Sequence, residues 1–235
     1  MDNDSKGDRI AALERAIAIL DAFRPYEHSA SLQTLSVRTG LYKSTLLRQL
    51  KTLIAEHCVV RLADGTYQLG ARVLHWASVY RTSLNFDQHV PPVLAELVHL
   101  TGEGASFFTR EGDTRVCLYR ADSPKELRDH IRQGDLLPLD KGAAGRALLV
   151  YENAASAAQA PSPPVIVSMG EREAEIAAIA SPVFDHSGLC GVVALSGPAT
   201  RFHPQAVQSF SVQLLDATRR LSATLGGHAL FARYE

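Results

Sequence analysis

The sequence predicts two folded parts: a small N-terminal all-α head that ends in a β-hairpin, and a larger α+β domain with an antiparallel sheet. In residues 9–55, apolar side chains recur every three or four positions, which is the spacing of amphipathic helices. After residue 102, short β-rich runs alternate with turn signals, and helical segments stand at both ends of this region. A chain of 235 residues is long enough for two such domains.

Three helices are predicted in the head, over residues 9–23, 31–38 and 45–55. Either Ser29 or Ser31 is expected to cap the second helix, Gly40 to follow its end, and Ser44 to cap or open the third helix. The apolar faces predicted for the three helices are, in order, Ile10, Leu13, Ile17, Leu20 and Phe23; Leu32, Leu35 and Val37; and Leu46, Leu47, Leu50, Leu53 and Ile54.

A β-hairpin is predicted directly after the third helix. Residues 59–60 and 66–69 have the composition of short strands, and the pair Asp64-Gly65 between them is a strong tight-turn signal. Two helices, a glycine turn, a third helix and a hairpin follow one another in the order of a winged helix-turn-helix. Residues 9–70 are therefore predicted to form this domain.

The remaining residues divide into a tail, a linker and a second domain. Residues 1–8 are predicted to be a disordered tail, 71–86 a linker helix, and 87–235 the α+β domain. The Ala/Ser/Pro-rich segment 154–164 is predicted to be a flexible loop. The predicted strands of the second domain are 105–109, 115–120, 127–132, 165–168, 177–184 and 190–196, and its helices are 93–100, 142–150 and 204–225.

The charges of the chain are distributed unevenly although the net charge is only -1. Residues 1–85 contain eleven Lys and Arg against eight Asp and Glu, whereas the rest contains thirteen against seventeen. Residues 38–51 carry four basic side chains and no acidic one. Such a cluster repels itself and does not help folding, so it favours contact with DNA phosphates. The alternatives are a merely solvated helix face and a module that binds another protein.

The start of the third helix is predicted to read DNA in the major groove, as in helix-turn-helix proteins. Arg48 and Gln49 are suited to guanine and adenine edges, and Lys43 and Lys51 to phosphates. Arg61 in the hairpin is expected to reach the flanking backbone or minor groove. The predicted DNA-binding residues are Ser31, Thr34, Tyr42, Lys43, Ser44, Thr45, Arg48, Gln49, Lys51 and Arg61.

Three stretches resemble the IclR family of transcriptional regulators, in the same order and across nearly the whole chain. Residues 31–48, SLQTLSVRTGLYKSTLLR, resemble the family's "sLtelA..tGLpkST..R". Residues 134–149, GDLLPLDKGAAGRALL, resemble "G...PlhatA.GkAlLA", and residues 168–185, SMGEREAEIAAIASPVFD, resemble "S.gEr...iaaiAaPVfd". Residues 66–70 also match the wing ending "Y.LG". The resemblance implies a GAF-like C-terminal domain that binds a small organic or aromatic acid. It also implies homodimers, or tetramers built as dimers of dimers, on palindromic double-stranded DNA operators.

The sequence departs from the family's pattern at two places. Members usually have two helices between the "GkAlLA" helix and the "S.gE" strand, but this chain has only the loop at 152–164. The lid of the pocket and the tetramer contacts are therefore expected to differ. Asp140 stands where the family often has a histidine, so no contact made by that histidine is carried over.

The start of the helix at 142–150 is a candidate site for the acid. Small residues there allow close approach to unpaired N–H groups and the positive end of the helix dipole, which favour an anion. The alternative is close packing of this helix on the sheet. By position in the family, Ala143 and Ala144 supply amides, Ser168 a hydroxyl, and Ile176 and Ala178 apolar walls. Arg128 and Arg132, on the strand predicted at 127–132, are expected to add a cation.

Other classes of function have weaker support in the sequence. His186 and Cys190 make an incomplete metal site, and Asp140 with Asp185 is not expected to be a catalytic pair. The sequence has no GxSxG, P-loop or GxGxxG motif, so we predict no catalytic residue, no metal and no cofactor. The alternative function is that of an enzyme or a protein-interaction module on a GAF-like scaffold, with the winged helix used for docking. The lack of a long apolar run and of a signal-peptide pattern predicts a cytoplasmic protein without a membrane partner.

Overall fold

The computed structural model describes residues 10–24, 27–83, 86–152 and 161–233. The chain divides into two compact units, Met1–Leu84 and Asn85–Glu235, which we call the head and the sensor. The tail predicted at 1–8 lies outside the described residues. Within the described ranges, no helix is long and apolar enough to cross a membrane.

The head contains the predicted order of helices and hairpin. Ser31 caps the second helix, because its Oγ accepts the Thr34 N–H at 3.0 Å, and Gly40 follows that helix with a φ of 67°. The third helix begins at Lys43, so the prediction that Ser44 caps it or opens it is wrong. The elements are α1 Ala11–Asp21, α2 Leu32–Thr39, α3 Lys43–Ala55, β1 Val59–Arg61, β2 Tyr67–Leu69 and α4 Ala71–Ser83.

The core of the head is formed where α1, α2, α3 and the hairpin meet. Its buried members include Ile19, Leu35, Leu46, Leu50 and Tyr67. Several side chains of the predicted apolar stripes are instead exposed, namely Ile10, Leu13, Ile17, Val37 and Leu47. Apolar residues occupy more than one face of α1, so their spacing alone does not determine which face packs; the buried face is that of Ile19 and Ala22.

The hairpin is fixed at its turn and at its base. Asp64 Oδ1 accepts the N–H of Thr66 at 2.9 Å and its hydroxyl at 2.6 Å, which closes the turn as predicted. The backbone of Ala30 exchanges two hydrogen bonds with Tyr67, at 2.8 and 2.9 Å. This bridge attaches the wing to the segment that precedes α2.

The sensor is an α+β unit built on a six-stranded antiparallel sheet of order β5-β4-β3-β8-β7-β6, which confirms the predicted fold class. The strands are β3 Gly104–Glu111, β4 Thr114–Ala121, β5 Leu136–Pro138, β6 Ile166–Met169, β7 Ile176–Phe184 and β8 Leu189–Pro198. The helices are α5 Val90–Thr101, α6 Gly142–Glu152, α7 Pro204–Thr224 and α8 His228–Phe231, with a 3-10 turn at Ala199–Arg201.

Helices cover both faces of this sheet. Ala180 of β7 belongs to the apolar cluster that contains Ala147 of α6. The next residue, Ser181, faces the other way and its hydroxyl lies 3.0 Å from that of Thr218 on α7. Because successive side chains of a strand point to opposite faces, α6 and α7 pack on opposite sides of β7. A cavity lies on the α6 side.

The strand predicted at 127–132 does not form. The partner position on the edge of β4 is occupied by residues 134–138 instead: Gly134 and Asp135 exchange backbone hydrogen bonds with Cys117, and β5 pairs with residues 114–116. Residues 127–132 therefore have no strand assignment and pair with none of the described strands. The loop predicted at 154–164 falls largely on residues 153–160, which lie outside the described residues.

Candidate nucleic-acid interface and ligand cavity

The exposed face of α3 carries three of the predicted DNA-contacting cations. Lys43, Arg48 and Lys51 are exposed, and none of them forms an ion pair with another described residue. The opposite face of the helix, with Leu46 and Leu50, is buried in the head. The fold thus holds the cations at fixed spacing on a surface that remains available to a polyanion.

The other predicted DNA-contacting residues lie in different surroundings. Tyr42 is 85% exposed, Ser44 is exposed, and Thr45 and Gln49 are half-buried. The hydroxyls of Ser31 and Thr34 lie 2.9 Å apart at the start of α2, where Ser31 already serves as the helix cap. In the wing, the exposed Arg61 lies over the ring of Tyr67, 5.9 Å from its centroid.

One cation of the basic cluster does not belong to this face. Both Nη atoms of Arg38 bind the carboxylate of Glu27, at 2.6 and 2.7 Å, and Nη1 also donates to the carbonyl of Ala22 at 3.0 Å. This bidentate pair lowers the pKa of Glu27. Arg38 therefore ties α2 to the end of α1, so three of the four cations counted in residues 38–51 are without an ion pair to another described residue.

The sensor contains a cavity between the α6 side of the sheet, the first turn of α6 and the segment 129–131. It has a volume of about 390 Å³ when its opening is included. Its lining consists of Phe108, Arg115, Asp129, Ile131, Gly142, Ala143, Ala144, Ser168, Arg172, Ile176, Ala178, Ala194 and Ser196.

Small residues of three adjacent strands form the sheet wall of the cavity. Strand pairing places Ser168 opposite Ala178, and Ala178 opposite Ser196. Paired residues of antiparallel strands face the same side, so the three side chains form a row across β6, β7 and β8. Five of the seven residues predicted to bind the effector line this cavity: Ala143, Ala144, Ser168, Ile176 and Ala178.

The first turn of α6 is pressed against the neighbouring backbone. A Cβ atom at Gly145 would lie 2.2 Å from the carbonyl oxygen of Leu139, so no larger residue fits there without displacing the helix. The N–H of Gly142 donates to Glu171 Oε2 at 3.2 Å. The N–H groups of Ala143 and Ala144 are in the first turn, where helix geometry gives them no acceptor in their own helix.

Arg115 is a buried cation at the edge of the cavity. It is 3% exposed, donates to the carbonyl oxygens of Pro138 and of Lys141 (2.8 Å for Lys141), and forms no ion pair with a described carboxylate. Its Nε has no hydrogen-bond partner among the described residues. Burial, and next the nearby positive charge of Arg172, lower the pKa of Arg115 to about 10. An anion in the cavity would neutralise this charge.

Asp129 and Arg172 form a buried pair on the same cavity. Arg172 Nη2 donates to Asp129 Oδ1 at 2.6 Å, and its Nη1 donates to the exposed Glu173 at 2.6 Å. Asp129 is 2% exposed, and its Oδ2 has no hydrogen-bond partner among the described residues. Two of the lining residues thus each have a buried polar atom without a hydrogen-bond partner among the described residues, Asp129 Oδ2 and Arg115 Nε.

The two arginines predicted for the cavity do not line it. Arg128 is exposed and donates to the carbonyl of Lys125 at 3.3 Å, and Arg132 is half-buried outside the lining. In this extended segment alternate residues face opposite sides, so Asp129 and Ile131 face the cavity instead.

Sequence reasoning missed Arg115, Arg172 and Asp129 as cavity residues. Arg115 had a readable signal, because it stands two residues from Cys117 in a predicted strand, at a position of the same inward face. Among the described residues, no group of three or more His, Cys, Asp or Glu side chains is placed to hold a metal ion.

Both halves of the chain match known domain families. Residues 12–63 match the IclR helix-turn-helix domain, and residues 79–162 and 164–223 match the bacterial transcriptional regulator IclR C-terminal domain. The chain is 26% identical to the HTH-type transcriptional regulator KdgR of Escherichia coli (strain K12), with 97% of each chain covered. It is 26% identical to the HTH-type transcriptional repressor AllR of Salmonella typhi, over 92% of this chain and 90% of that protein.

A solved structure has the same fold. It is that of an IclR homolog complexed with 4-hydroxybenzoate from Microbacterium hydrocarbonoxydans, with a TM-score of 0.74, 18% identity, and coverage of 91% of this chain and 100% of that one. The matched domains span most of the sequence in the order read from it, which confirms the resemblance. The chain belongs to the IclR family of transcriptional regulators, and its N-terminal helix-turn-helix is a DNA-binding domain.

Proposed function

We propose that this regulator binds a palindromic operator through the winged helix of residues 9–70, and that a small organic acid bound in residues 87–235 changes its affinity for that DNA. Residues 71–86 are the linker between the two activities. The observation that carries the proposal is the pairing of an exposed cationic helix in one unit with a cation-lined cavity in the other. A regulator of this kind acts in the bacterial cytoplasm, where its DNA lies.

The DNA half of the proposal rests on α3. Lys43, Arg48 and Lys51 stand on its exposed face, where they can approach phosphates or base edges without breaking an internal ion pair. Neighbouring polar side chains that complete the proposed contact surface are Ser31, Thr34, Tyr42, Ser44, Thr45 and Gln49, with Arg61 in the wing.

Binding to DNA from upstream of the protein's own gene tests this half. Fluorescence anisotropy at several salt concentrations should show an affinity that falls steeply as salt rises. The double variant Lys43→Ala/Arg48→Ala should bind at least about tenfold more weakly. The matched control Arg110→Ala/Arg219→Ala removes the same two charges from the sensor and should bind like the parent. Equal affinity of the α3 variant and the parent would refute the assignment.

The effector half rests on the electrostatics of the cavity. The first-turn residues Ala143 and Ala144 of α6, the buried Arg115 and the Ser168–Ala178–Ser196 row line one cavity. Partial positive charge at a helix N-terminus and a buried guanidinium both favour a carboxylate. The homologue of Microbacterium hydrocarbonoxydans is complexed with 4-hydroxybenzoate, which is such an acid.

Thermal unfolding in the presence of small carboxylates tests the effector half. A ligand that binds only the folded state raises the melting temperature, and the increase grows with the logarithm of its concentration above the Kd. We expect an increase with at least one carboxylate and none with the corresponding amides or alcohols. Failure of every carboxylate to stabilise the protein would refute the anion site.

The active form is proposed to be a homodimer, which can assemble further into a tetramer. Apolar side chains on two helices of the head are exposed in the single chain: Ile10, Leu13 and Ile17 in and beside α1, and Leu74, Trp76 and Val79 on α4. A two-fold dimer also presents two recognition helices to the two halves of a palindrome. Sedimentation analysis tests this, and a monomer at micromolar concentration would contradict it.

A further inference from the structure

We propose that a joint between the end of α3 and the start of α4 sets which spacing of two DNA half-sites the regulator prefers. The joint is formed by Glu56, His57, Cys58, Gly70 and Arg72. These residues lie outside the proposed DNA-contact surface, so their role is to position α3 rather than to touch DNA. The proposal rests on the proposed function, because it concerns a dimer on a palindromic operator.

Backbone hydrogen bonds connect the two helices at the joint. The N–H of Gly70 donates to the carbonyl of Cys58 at 2.8 Å, and the N–H of Arg72 donates to the carbonyl of His57 at 3.3 Å. Arg72 stands in the first turn of α4, where backbone N–H groups have no acceptor in their own helix. The carbonyl of His57 supplies that acceptor, so the chain that leaves α3 caps the start of α4.

Close packing at Gly70 fixes the geometry of the joint. A Cβ atom at Gly70 would lie 2.1 Å from the carbonyl oxygen of His57 and 2.8 Å from its carbonyl carbon. Both are backbone atoms, so no rotation of a side chain relieves the contact. His57 itself has a φ of 57°, in the left-handed region that residues other than glycine seldom adopt. A larger residue at position 70 must therefore displace the start of α4 or the end of α3.

An ion pair on the surface reinforces the joint. Arg72 Nη1 donates to Glu56 Oε2 at 2.9 Å, and both side chains are exposed. The negative charge of Glu56 near the start of α4 also complements the positive end of that helix dipole. Exposed ion pairs contribute little to stability, so we expect this pair to matter less than the packing at Gly70.

The direction of α4 relative to α3 depends on the joint, because α4 has little other support in the head. Residues 74–79 are all exposed, and Val73 is half-buried. The chain continues from α4 into the sensor, so a dimer contact made by α4 or by the sensor is connected along the chain to α3 through the joint. Two recognition helices must stand about 34 Å apart, or a multiple of that distance, to read adjacent half-sites. A fixed joint therefore favours one spacing over others.

Binding to operators of different spacing tests the proposal. Footprinting on DNA from upstream of the protein's own gene defines the protected palindrome. The probes are that palindrome, the same palindrome with about five base pairs (half a helical turn) inserted at its centre, and a duplex with one half-site alone. The parent should prefer the natural spacing over the insertion at least about tenfold. Gly70→Ala should reduce this preference at least about threefold and bind the single half-site as the parent does.

Further variants separate the geometry of the joint from the stability of the head. Glu56→Ala/Arg72→Ala removes the ion pair without a steric clash and should reduce the spacing preference by a smaller factor; it decides the question if Gly70→Ala does not fold. The matched control Arg110→Ala/Glu152→Ala removes an exposed ion pair from the sensor and should keep the preference of the parent. Leu35→Val trims the core of the head on α2 and should also keep it. Circular dichroism confirms that each variant is folded.

The outcomes distinguish failure of the joint from failure of the proposed function. An unchanged spacing preference in folded Gly70→Ala would overturn the role of the joint and leave the dimer on palindromic DNA intact. Equal weakening of this variant on the half-site and on both palindromes would also overturn it, because Gly70 would then act only on the fold of the head. A parent that protects no palindrome, or that binds both spacings equally, would refute the dimeric operator complex and the joint with it.

Discussion

The head and the sensor hold their functional charges in opposite ways. On α3, Lys43, Arg48 and Lys51 are exposed, and the remainder of the helix is anchored by an apolar core. In the sensor, Arg115 and Asp129 are almost fully buried and are held by carbonyl oxygens and by Arg172. The first arrangement suits a large polyanion that approaches from solvent, and the second suits a small ligand that must lose its own hydration to enter.

This difference separates two kinds of recognition. Exposed cations contribute affinity that salt screens and that depends little on the shape of the partner. Buried polar groups contribute selectivity, because each one left without a partner costs free energy. We therefore expect substitutions in the head to act through the number of charges, and substitutions in the sensor to act through the identity of the ligand.

The largest effect is expected for the apolar support of α3. Leu50 is 1% exposed, so Leu50→Ala should lower the free energy of unfolding of the head by about 2–5 kcal/mol. Leu47 lies on the same helix and is 47% exposed, which makes Leu47→Ala a control that should cost much less. Urea denaturation followed by circular dichroism measures both. Equal losses in the two variants would contradict the packing described for α3.

A large effect on ligand binding, and a smaller one on stability, is expected at Arg115. The variant Arg115→Met should bind the acid at least tenfold more weakly, about 1.4 kcal/mol, because it removes the charge that the carboxylate neutralises. Its own stability should change little, since relief of a buried charge is offset by two carbonyls left unpaired. The control Arg110→Met removes an exposed cation that pairs with Glu152. If both variants bind the acid equally well, Arg115 is not the anion anchor.

A moderate effect on DNA binding is expected to distinguish Lys43 from Arg38. Lys43→Ala should weaken DNA binding about three- to tenfold and reduce the salt slope by about one phosphate contact. Arg38→Ala should leave that slope unchanged, because the Arg38 guanidinium is bound to Glu27 and Ala22. Anisotropy titrations from low to high salt distinguish the two. Identical salt slopes for the two variants would indicate that Arg38 also contacts DNA phosphates.

The smallest expected effect is on the alkylation rates of the buried thiols in the two cores. Cys58 lies in the core of the head, and Cys117 lies in the core of the sensor, where burial raises its pKa to about 12. Alkylation of Cys117 at pH 8 should therefore be slow and should require local opening. The effector, at a concentration equal to its Kd, should slow the alkylation of Cys117 about twofold and leave the alkylation of Cys58 unchanged. Peptide mass spectrometry resolves the two sites, and equal protection of both would count against a ligand confined to the sensor.

The head could be predicted from sequence because its signals are local. Helix spacing, the Ser31 cap, Gly40 and the Asp64-Gly65 turn each act within a few residues, and all of them reappear in the structure. Apart from the start of α3, where Tyr42 rather than Ser44 precedes the helix, the errors arose where packing decided between equivalent apolar faces. Ile17 and Ile19 are both apolar and only two positions apart, yet only Ile19 is buried.

Residues that line the sensor cavity could be predicted from sequence only at positions that match the family's motifs. Its lining joins residues from segments as distant as Phe108 and Ser196, and pairing across the sheet brings them together. Arg128 and Arg132 are basic and stand near the right place in the sequence, but they do not line the cavity. Whether an extended segment turns its even or odd positions inward depends on the sheet edge it crosses, and no local signal in residues 127–132 specifies that.

The most direct test is whether an acid in the sensor changes the affinity of the head for DNA. DNA from upstream of the gene should be titrated with the parent and with Arg115→Met, each with and without an acid that raises the melting temperature of the parent. We predict that the acid changes the Kd of the parent for DNA several-fold, and that Arg115→Met binds DNA but does not respond. A parent that is saturated with acid yet binds DNA with unchanged affinity would contradict the account.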